Sequence, residues 1–239
     1  MTLADVLGSL FPVGHATTVA DGLIFGQGPL SGGGQAHVVG VVDTTALGVE
    51  GALALAGRVL EIASGADKDP ILVLIDSSSQ RMSRRDELLG LNEYLAHLAK
   101  ALLLAEVGGH RTVGLLYGGS AAGAFIATAL STGVLAALPG AHPAVMDLPS
   151  MARVTKLPIE VLKEKAEATP VFAPGLDNLA KTGAVHQTWD SARSLSDQLA
   201  ELLAVPAGDD ERERLGLERG GRPKAAGISE RVIAEAGRV

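Results

Sequence analysis

Two short stretches hold the residues best suited to chemistry. One is Gly118-Gly119-Ser120, set between an apolar run and a series of small residues, and the other is the polar segment Ser77-Ser78-Ser79-Gln80. From Ser120 to Leu130 every residue except Ser120 and Thr128 is apolar or glycine, which suits a helix buried on all sides. The first N–H groups of a helix lack intrahelical partners, and the helix dipole places partial positive charge there. Glycines at that point leave the backbone open to a ligand oxygen, so the turn could serve as an anion site or an oxyanion hole.

Three readings fit the turn. Glycine could simply let a buried helix pack closely on its sheet. Ser120 could be an acyl-attacking nucleophile with His97, His110 or His142 as its base, although the elbow motif wants glycine two residues before and two after the serine, and here Gly118 fits while Ala122 does not. Alternatively, the amides of Gly118 and Gly119 could hold a developing enolate or carboxylate with no side-chain nucleophile, flanked by the hydroxyls of Ser120, Ser78 and Ser79. Next to these, Gln80, Arg81 and Arg84 are the substrate-binding candidates. Arginine near a helix start opposes the dipole by about 0.3–1 kcal/mol. Either Asp86 and Glu87 compensate and Arg81, Arg84 and Arg85 are solvated, or one arginine binds a carboxylate or phosphate.

The elements that must position these groups can be read along the chain. Asp21–Leu30 and Ala36–Asp43 are strand-like runs around Ser-Gly-Gly-Gly-Gln, a hairpin composition. A dinucleotide loop is disfavoured, because Gly26-x-Gly28 is followed by Ser31 where a third glycine is wanted. Val49–Ser64 reads as an amphipathic helix with Val49, Leu53, Ala56, Leu60 and Ala63 on one face. Ile71–Ile75 is an apolar strand that Asp76 and the serines end abruptly. A long helix over Arg84–Val107 follows, closed by Gly108-Gly109, and then the strand Thr112–Tyr117. A repeated strand-to-helix crossover implies a parallel sheet, whose ligands sit beyond the carboxyl ends of the strands. That arrangement would bring Ser77–Gln80 and Gly118–Ser120 side by side.

Further on, short strands are expected over Gly133–Ala137, Ala144–Met146 and Ala184–Trp189. Helices are expected over Pro149–Leu157, Ile159–Ala168, Leu176–Thr182 and Ser191–Leu203. Residues 1–205 then form one α/β domain, and 206–239 a polar extension, mobile or ordered by a partner, with one short helix over Ile228–Val239. Seven acidic and seven basic residues make the stretch 207–239 neutral, so the body carries the net charge of −7.

That charge, with a pI near 5.4, argues against a nucleic-acid partner. The absence of cysteine excludes disulfides and thiol catalysis. No two of the six histidines are spaced to share a helix face, so the sequence supports no metal site. No window is apolar enough to span a membrane, and MTLADVLGSLF is unlike a signal peptide, so a soluble cytoplasmic protein is expected.

The order of the pieces resembles the carboxyltransferase half of biotin-dependent carboxylases, a branch of the crotonase superfamily. Those pieces are Val73–Asp76, a small-residue loop, a long helix, Val113–Tyr117, Gly118-Gly119-Ser120, a small-residue helix and Met146-Asp147-Leu148-Pro149-Ser150. More narrowly, DGLIFGQGPLSGGGQAHVVGVVD and LLYGGSAAGAFIATAL resemble the gamma subunit of biotin-independent malonate decarboxylase, over about residues 10–205. The resemblance implies a crotonase-like (ClpP/crotonase) spiral of strand-strand-helix repeats. It also implies an active site shared with a homologous beta subunit and a decarboxylase active only as that heterodimer. The implied substrate is a malonyl thioester on an acyl carrier protein, carried by a prosthetic group of the dephospho-coenzyme A type. A transferase (alpha) subunit would exchange malonate for acetate on that carrier, and this chain would itself bind no cofactor. Carried over position by position, the family's glycine pair falls on Gly118 and Gly119 and its second donor loop on Ser77–Gln80. Carboxyltransferases usually have glycine or proline in that loop and a second glycine pair after the serine, whereas this chain has Ser-Ser-Ser and Ala121-Ala122. A noncatalytic subunit that only supports its sister is the remaining alternative.

Overall fold

The computed structural model describes residues 1–168, 170 and 173–237. A seven-stranded sheet organises the chain, in the order β1 (Ala16–Ala20), β2 (Leu23–Pro29), β3 (Gln35–Leu47), β4 (Ile71–Gln80), β5 (Thr112–Leu116), β7 (Val134–Ala137) and β9 (Gln187–Thr188). The first three strands are antiparallel, and from β3 onward all pairs are parallel. Beside it lies a two-stranded parallel sheet of β6 (Gly119–Ala121) and β8 (His142–Ala144).

Both faces of the main sheet are covered, which explains why its central strands are apolar without interruption. Side chains alternate across a strand. Ile71, Val73 and Ile75 of β4 therefore join the core beneath α2 (Val49–Ala63) and α4 (Leu91–Val107). Leu72 and Leu74 face the other way, into the core shared with α1 (Leu3–Leu10) and α9 (Leu195–Ala204). Fully burying such a side chain contributes roughly 1.5–3 kcal/mol. Near its carboxyl end β3 bends: Asp43 and Thr44 have φ of 57° and 53°, and its register against β4 shifts between Val41 and Thr45.

Several boundaries differ from the sequence expectations. β4 does not stop at Ile75 but runs through the serines to Gln80, because Thr45 and Leu47 beyond the bend continue to pair with it. The helix expected over Arg84–Val107 is two, α3 (Arg84–Leu88) and α4, divided where Gly90 takes a left-handed φ of 80°. Ser83 caps α3 by accepting the Asp86 N–H, which starts that helix afresh. Along α2 the buried face is Val49, Ala52, Leu55, Ala56, Val59 and Ile62, and Leu53 is exposed. The strand expected over Ala184–Trp189 shortens to β9, and α9 starts at Leu195 under a Ser194 cap. Neither α1, capped by Thr2 and Asp5 in a capping box, nor β1 was anticipated.

The small-residue segment changes most. Gly119–Ala121 is strand β6, and only Ala122–Ala127 is helical, as α5. β5-β6-α5 and β7-β8-α6 (Leu148–Thr155) are thus successive strand-strand-helix units, with one strand in each sheet.

After α6 come α7 (Ile159–Ala168) and α8 (Leu176–Lys181). The segment from 206 contains two helices, α10 (Arg212–Glu218) and α11 (Ala225–Ala236), where one was expected, and Arg238 and Val239 of that expected helix lie outside the described residues. Around α10 three glycines permit backbone-to-backbone contact. A Cβ on Gly183 would lie 2.1 Å from Arg212 O, one on Gly216 2.5 Å from Thr182 O, and one on Gly221 2.2 Å from Lys181 O. Arg212 donates to Leu130 O (2.7 Å), and Arg219 donates to the carbonyls of Ala180, Val185 and His186. By contrast, α11 buries none of its residues.

Candidate active site

At the carboxyl end of the sheet the two segments singled out in the sequence meet directly. Ser77 Oγ and Ser120 Oγ are hydrogen-bonded at 2.8 Å, both fully buried. The Asp76 carboxylate accepts the Gly119 N–H at Oδ1 (3.0 Å) and the Thr44 N–H at Oδ2 (3.2 Å). Gln80 Oε1 accepts the Gly123 N–H at 2.7 Å, while Ser79 Oγ donates to Gln80 O. Ser78 faces solvent beside them.

These contacts correct the expected role of the glycine pair. Gly118 and Gly119 do not begin a helix, so no helix dipole converges on them, and the Gly119 N–H is already engaged by Asp76. Gly118 is glycine because a Cβ there would lie 2.1 Å from Asp76 Oδ1. Gly119 is glycine because a Cβ would lie 2.8 Å from His142 Nε2 and 3.1 Å from Ser77 O. The pair thus makes room for a carboxylate and an imidazole. Among the described residues the Gly118 N–H meets no acceptor, which leaves it as a donor.

Tyr117 lies beneath the turn, its hydroxyl buried and, among the described residues, without a hydrogen-bond partner. Burial, and then the neighbouring charges of Asp76 and Asp43, push its pKa above the ordinary tyrosine value.

The arginines separate into two kinds. Arg85 pairs with Glu50 Oε1 at 2.5 Å and reaches Asp86 at 3.5 Å, and Arg81 lies 3.5 Å from Glu50 and 3.8 Å from buried Asp86. Hydrogen bonding from its own backbone, then Arg85, holds the Glu50 carboxyl below the usual range. Arg84 is exposed, and among the described residues it has no ion pair.

The serine-hydrolase constellation does not form. Ser120 Oγ bonds to Ser77, not to a histidine. His110 is buried next to the amino end of β5, with Nδ1 2.8 Å from Asp69 O; His97 is exposed on α4; and His142 Nδ1 is 3.4 Å from Gly140 O. Beside His110, His37, Asp67 and Asp69 bring potential ligand atoms within 4.8 Å of one another, although His37 Nε2 already bonds to Asp67 Oδ1 at 2.9 Å. That hydrogen bond is the main reason the Asp67 carboxyl lies below its ordinary pKa.

Sequence reasoning overlooked Asp76 and Thr44 as site-builders. Asp76 was legible as the one acid in a run of apolar and hydroxyl residues. Thr44 had no signal, because its contact depends on the bend in β3.

Strand-strand-helix units around a mostly parallel sheet, with two polar segments converging at its carboxyl end, define a crotonase-like protein of the carboxyltransferase type. The transcarboxylase 12S core shares this fold, with a TM-score of 0.69 at 17% identity over 87% of this chain and 44% of that one. Residues 42–236 match the model of the malonate decarboxylase gamma subunit family, and the chain belongs to that family of decarboxylase subunits. It is also similar to a chain of a Pseudomonas malonate decarboxylase hetero-tetramer in complex with coenzyme A, at 25% identity and a TM-score of 0.79 over 97% of this chain and 98% of that one. A chain of the Pseudomonas MdcD-MdcE hetero-dimer gives 26% identity and a TM-score of 0.75, over 97% and 96%. The malonyl-S-ACP:biotin-protein carboxyltransferase MADD of Malonomonas rubra is 31% identical over 172 residues, which cover 66% of this chain and 59% of the length of MADD. Among the described residues no helix is long and apolar enough to cross a membrane.

Proposed function

We propose that the chain is one half of a cytoplasmic malonyl-thioester decarboxylase whose reaction centre is completed by a homologous beta subunit. The carrying observation is the convergence of Ser77–Gln80 and Gly118–Ser120 at one end of the sheet, in a chain of the gamma-subunit family. In the reaction the bond between the α-carbon and the carboxylate breaks, CO2 departs, and the electron pair spreads onto the thioester oxygen as an enolate. A proton then adds to the α-carbon to give the acetyl thioester. A preorganised N–H donor stabilises such an enolate by roughly 2.7–4 kcal/mol.

In this chain the Gly118 N–H remains available as a donor, with Ser78 and Ser79 alongside and Ser120 held through Ser77. Gly119 shapes the turn without donating to the ligand. Arg84, a cation without an ion pair among the described residues, is suited to a carboxylate or phosphate, and Arg81 and Gln80 hold the adjoining segment. The substrate is malonyl thioester on an acyl carrier protein, on a dephospho-coenzyme A type prosthetic group, and a transferase (alpha) subunit recharges that carrier. Exposed Met82, Leu88 and Leu89 beside the site support a surface that a partner subunit covers.

The test is to co-purify the chain with a homologous beta subunit and measure CO2 release from malonyl thioester. The pair should turn over and neither subunit alone should. Arg84→Gln should raise KM for the carrier-bound substrate. A stable pair that releases no CO2 would refute the reading.

A further inference from the structure

Asp76, on β4, is a carboxylate that touches two other segments of the site, each through its backbone. Oδ1 takes the Gly119 N–H and Oδ2 the Thr44 N–H, with Thr44 Oγ1 at 3.5 Å. Charge-assisted bonds from backbone amides to a carboxylate are stronger than neutral ones. The chain around Asp76 is shaped to allow them. Asp43 and Thr44 adopt left-handed φ that residues with side chains seldom take, and this bend turns the Thr44 N–H onto the carboxylate. On the other side Gly118 has no Cβ, and any Cβ would occupy the place of Oδ1. Backbone strain of this kind persists where the surroundings over-determine it, commonly at functional sites.

We propose that Asp76 is a positioning residue for the decarboxylation, an inference that rests on the function proposed above. Both carboxylate oxygens face backbone N–H groups, so Asp76 acts through the peptide it holds. By clamping Gly119 to Thr44 it fixes the Gly118–Gly119 peptide, which adjoins the Gly118 N–H that is the available donor, and the start of β6, where Ser120 meets Ser77 and the Gly119 backbone lies against His142. Misplacing a catalytic group by about 1 Å can cost about a hundredfold in rate. A positioning clamp therefore reveals itself in kcat.

The experiment uses the co-purified pair. Asp76→Ala should lower kcat by about a hundredfold while KM stays nearly unchanged, and Asp76→Asn, which keeps one acceptor oxygen, should fall between. Gly118→Ala should reproduce the Asp76→Ala loss by displacing the carboxylate. The double variant should be no slower than either single one, because both break the same clamp. Amide exchange should be slow at Gly119 and Thr44 in the wild type and faster in all four variants. Among the variants, three results would overturn the proposal: an unchanged kcat with accelerated Gly119 exchange, a loss confined to KM, or additive effects in the double variant. If Asp76→Ala fails to fold, Asp76→Asn and Gly118→Ala decide by the same criteria. A silent wild-type pair would sink the decarboxylase reading and the positioning role with it, while rapid exchange at Gly119 in an active pair would sink the clamp alone.

Discussion

The two ends of the parallel sheet are built from different materials. At the carboxyl end small hydroxyls, glycines and one carboxylate are bonded tightly to backbone amides, and apolar Met82 and Leu88 stand exposed nearby. At the amino end a cavity of about 1070 Å³ opens between α4, the starts of β7 and β9, and the segment leading into α10. Charged groups line it, among them Lys100, Arg111, Arg193 and Arg212. Such a cavity by itself would point to the amino end. Yet its polar groups are largely spent on structure: Arg111 donates to Val205 O, Thr112 bonds to Glu106, and Arg193 pairs with Glu201. In the function proposed above, the carboxyl end is half of a site whose other wall a second subunit would supply.

The largest effect that would sharpen this contrast is at Gly183. With φ of +84° and no room for a Cβ, Gly183→Ala should cost on the order of 3 kcal/mol locally and undock α10. Limited proteolysis should then cut faster between 205 and 222, while the pair keeps its CO2 release. Loss of that release would make the amino end part of the catalytic apparatus and break the comparison.

Next comes the buried hydroxyl pair. Ser120→Ala leaves Ser77 Oγ without its partner and should destabilise the chain by about 1–3 kcal/mol in urea unfolding, with the double Ser77→Ala/Ser120→Ala costing less than the sum of the two. Activity should fall but persist, because the Gly118 N–H donor remains. Its complete loss in a folded Ser120→Ala pair would restore the nucleophile reading.

A smaller effect should follow pH at the amino end. Burial, then the Arg212 charge, with Arg219 adding a lesser push, hold the His186 imidazole below the ordinary histidine pKa. Its Nδ1 accepts the Leu135 N–H, which only the neutral ring can do. Because the unfolded chain then binds the proton more readily, this contribution to stability is complete above about pH 6.5 and shrinks as pH falls from there toward the folded value. Urea midpoints should decline on acidification through that window, and His186→Gln should flatten the slope. An equal slope in the variant would assign it elsewhere.

The smallest change is expected at Glu50, whose pairs with Arg81 and Arg85 are exposed at the surface. Glu50→Gln should leave stability almost unchanged, because exposed ion pairs contribute little. A larger shift would mean that buried Asp86 depends on this network for its compensation.

Much of the fold was legible from local pattern. The apolar run Ile71–Ile75, the helix over Val49–Ser64 and the crossover into Thr112–Tyr117 follow from periodicity and turn residues, and together they imply the parallel sheet and put the two polar loops at one end of it. Less legible were elements whose limits depend on remote partners. β4 continues through its serines because a bent β3 pairs with them, and Gly119–Ala121 is a strand because His142–Ala144 lies beside it. Three glycines around α10 look like loop residues until Arg212 O, Thr182 O and Lys181 O are seen against them.

The sequence by itself determined the class of chemistry available. With no cysteine, no clustered histidines, an acidic balance and small polar residues at strand ends, it left backbone amides, hydroxyls and arginines as the working groups. What those groups touch was decided only in three dimensions. Whether the glycine pair frees an amide or admits a carboxylate depends on Asp76, 42 residues earlier than Gly118, and on the bend that carries Thr44 to the same oxygens. A residue's type fixes the bonds it can make, and only the folded chain sets the distances that choose among them.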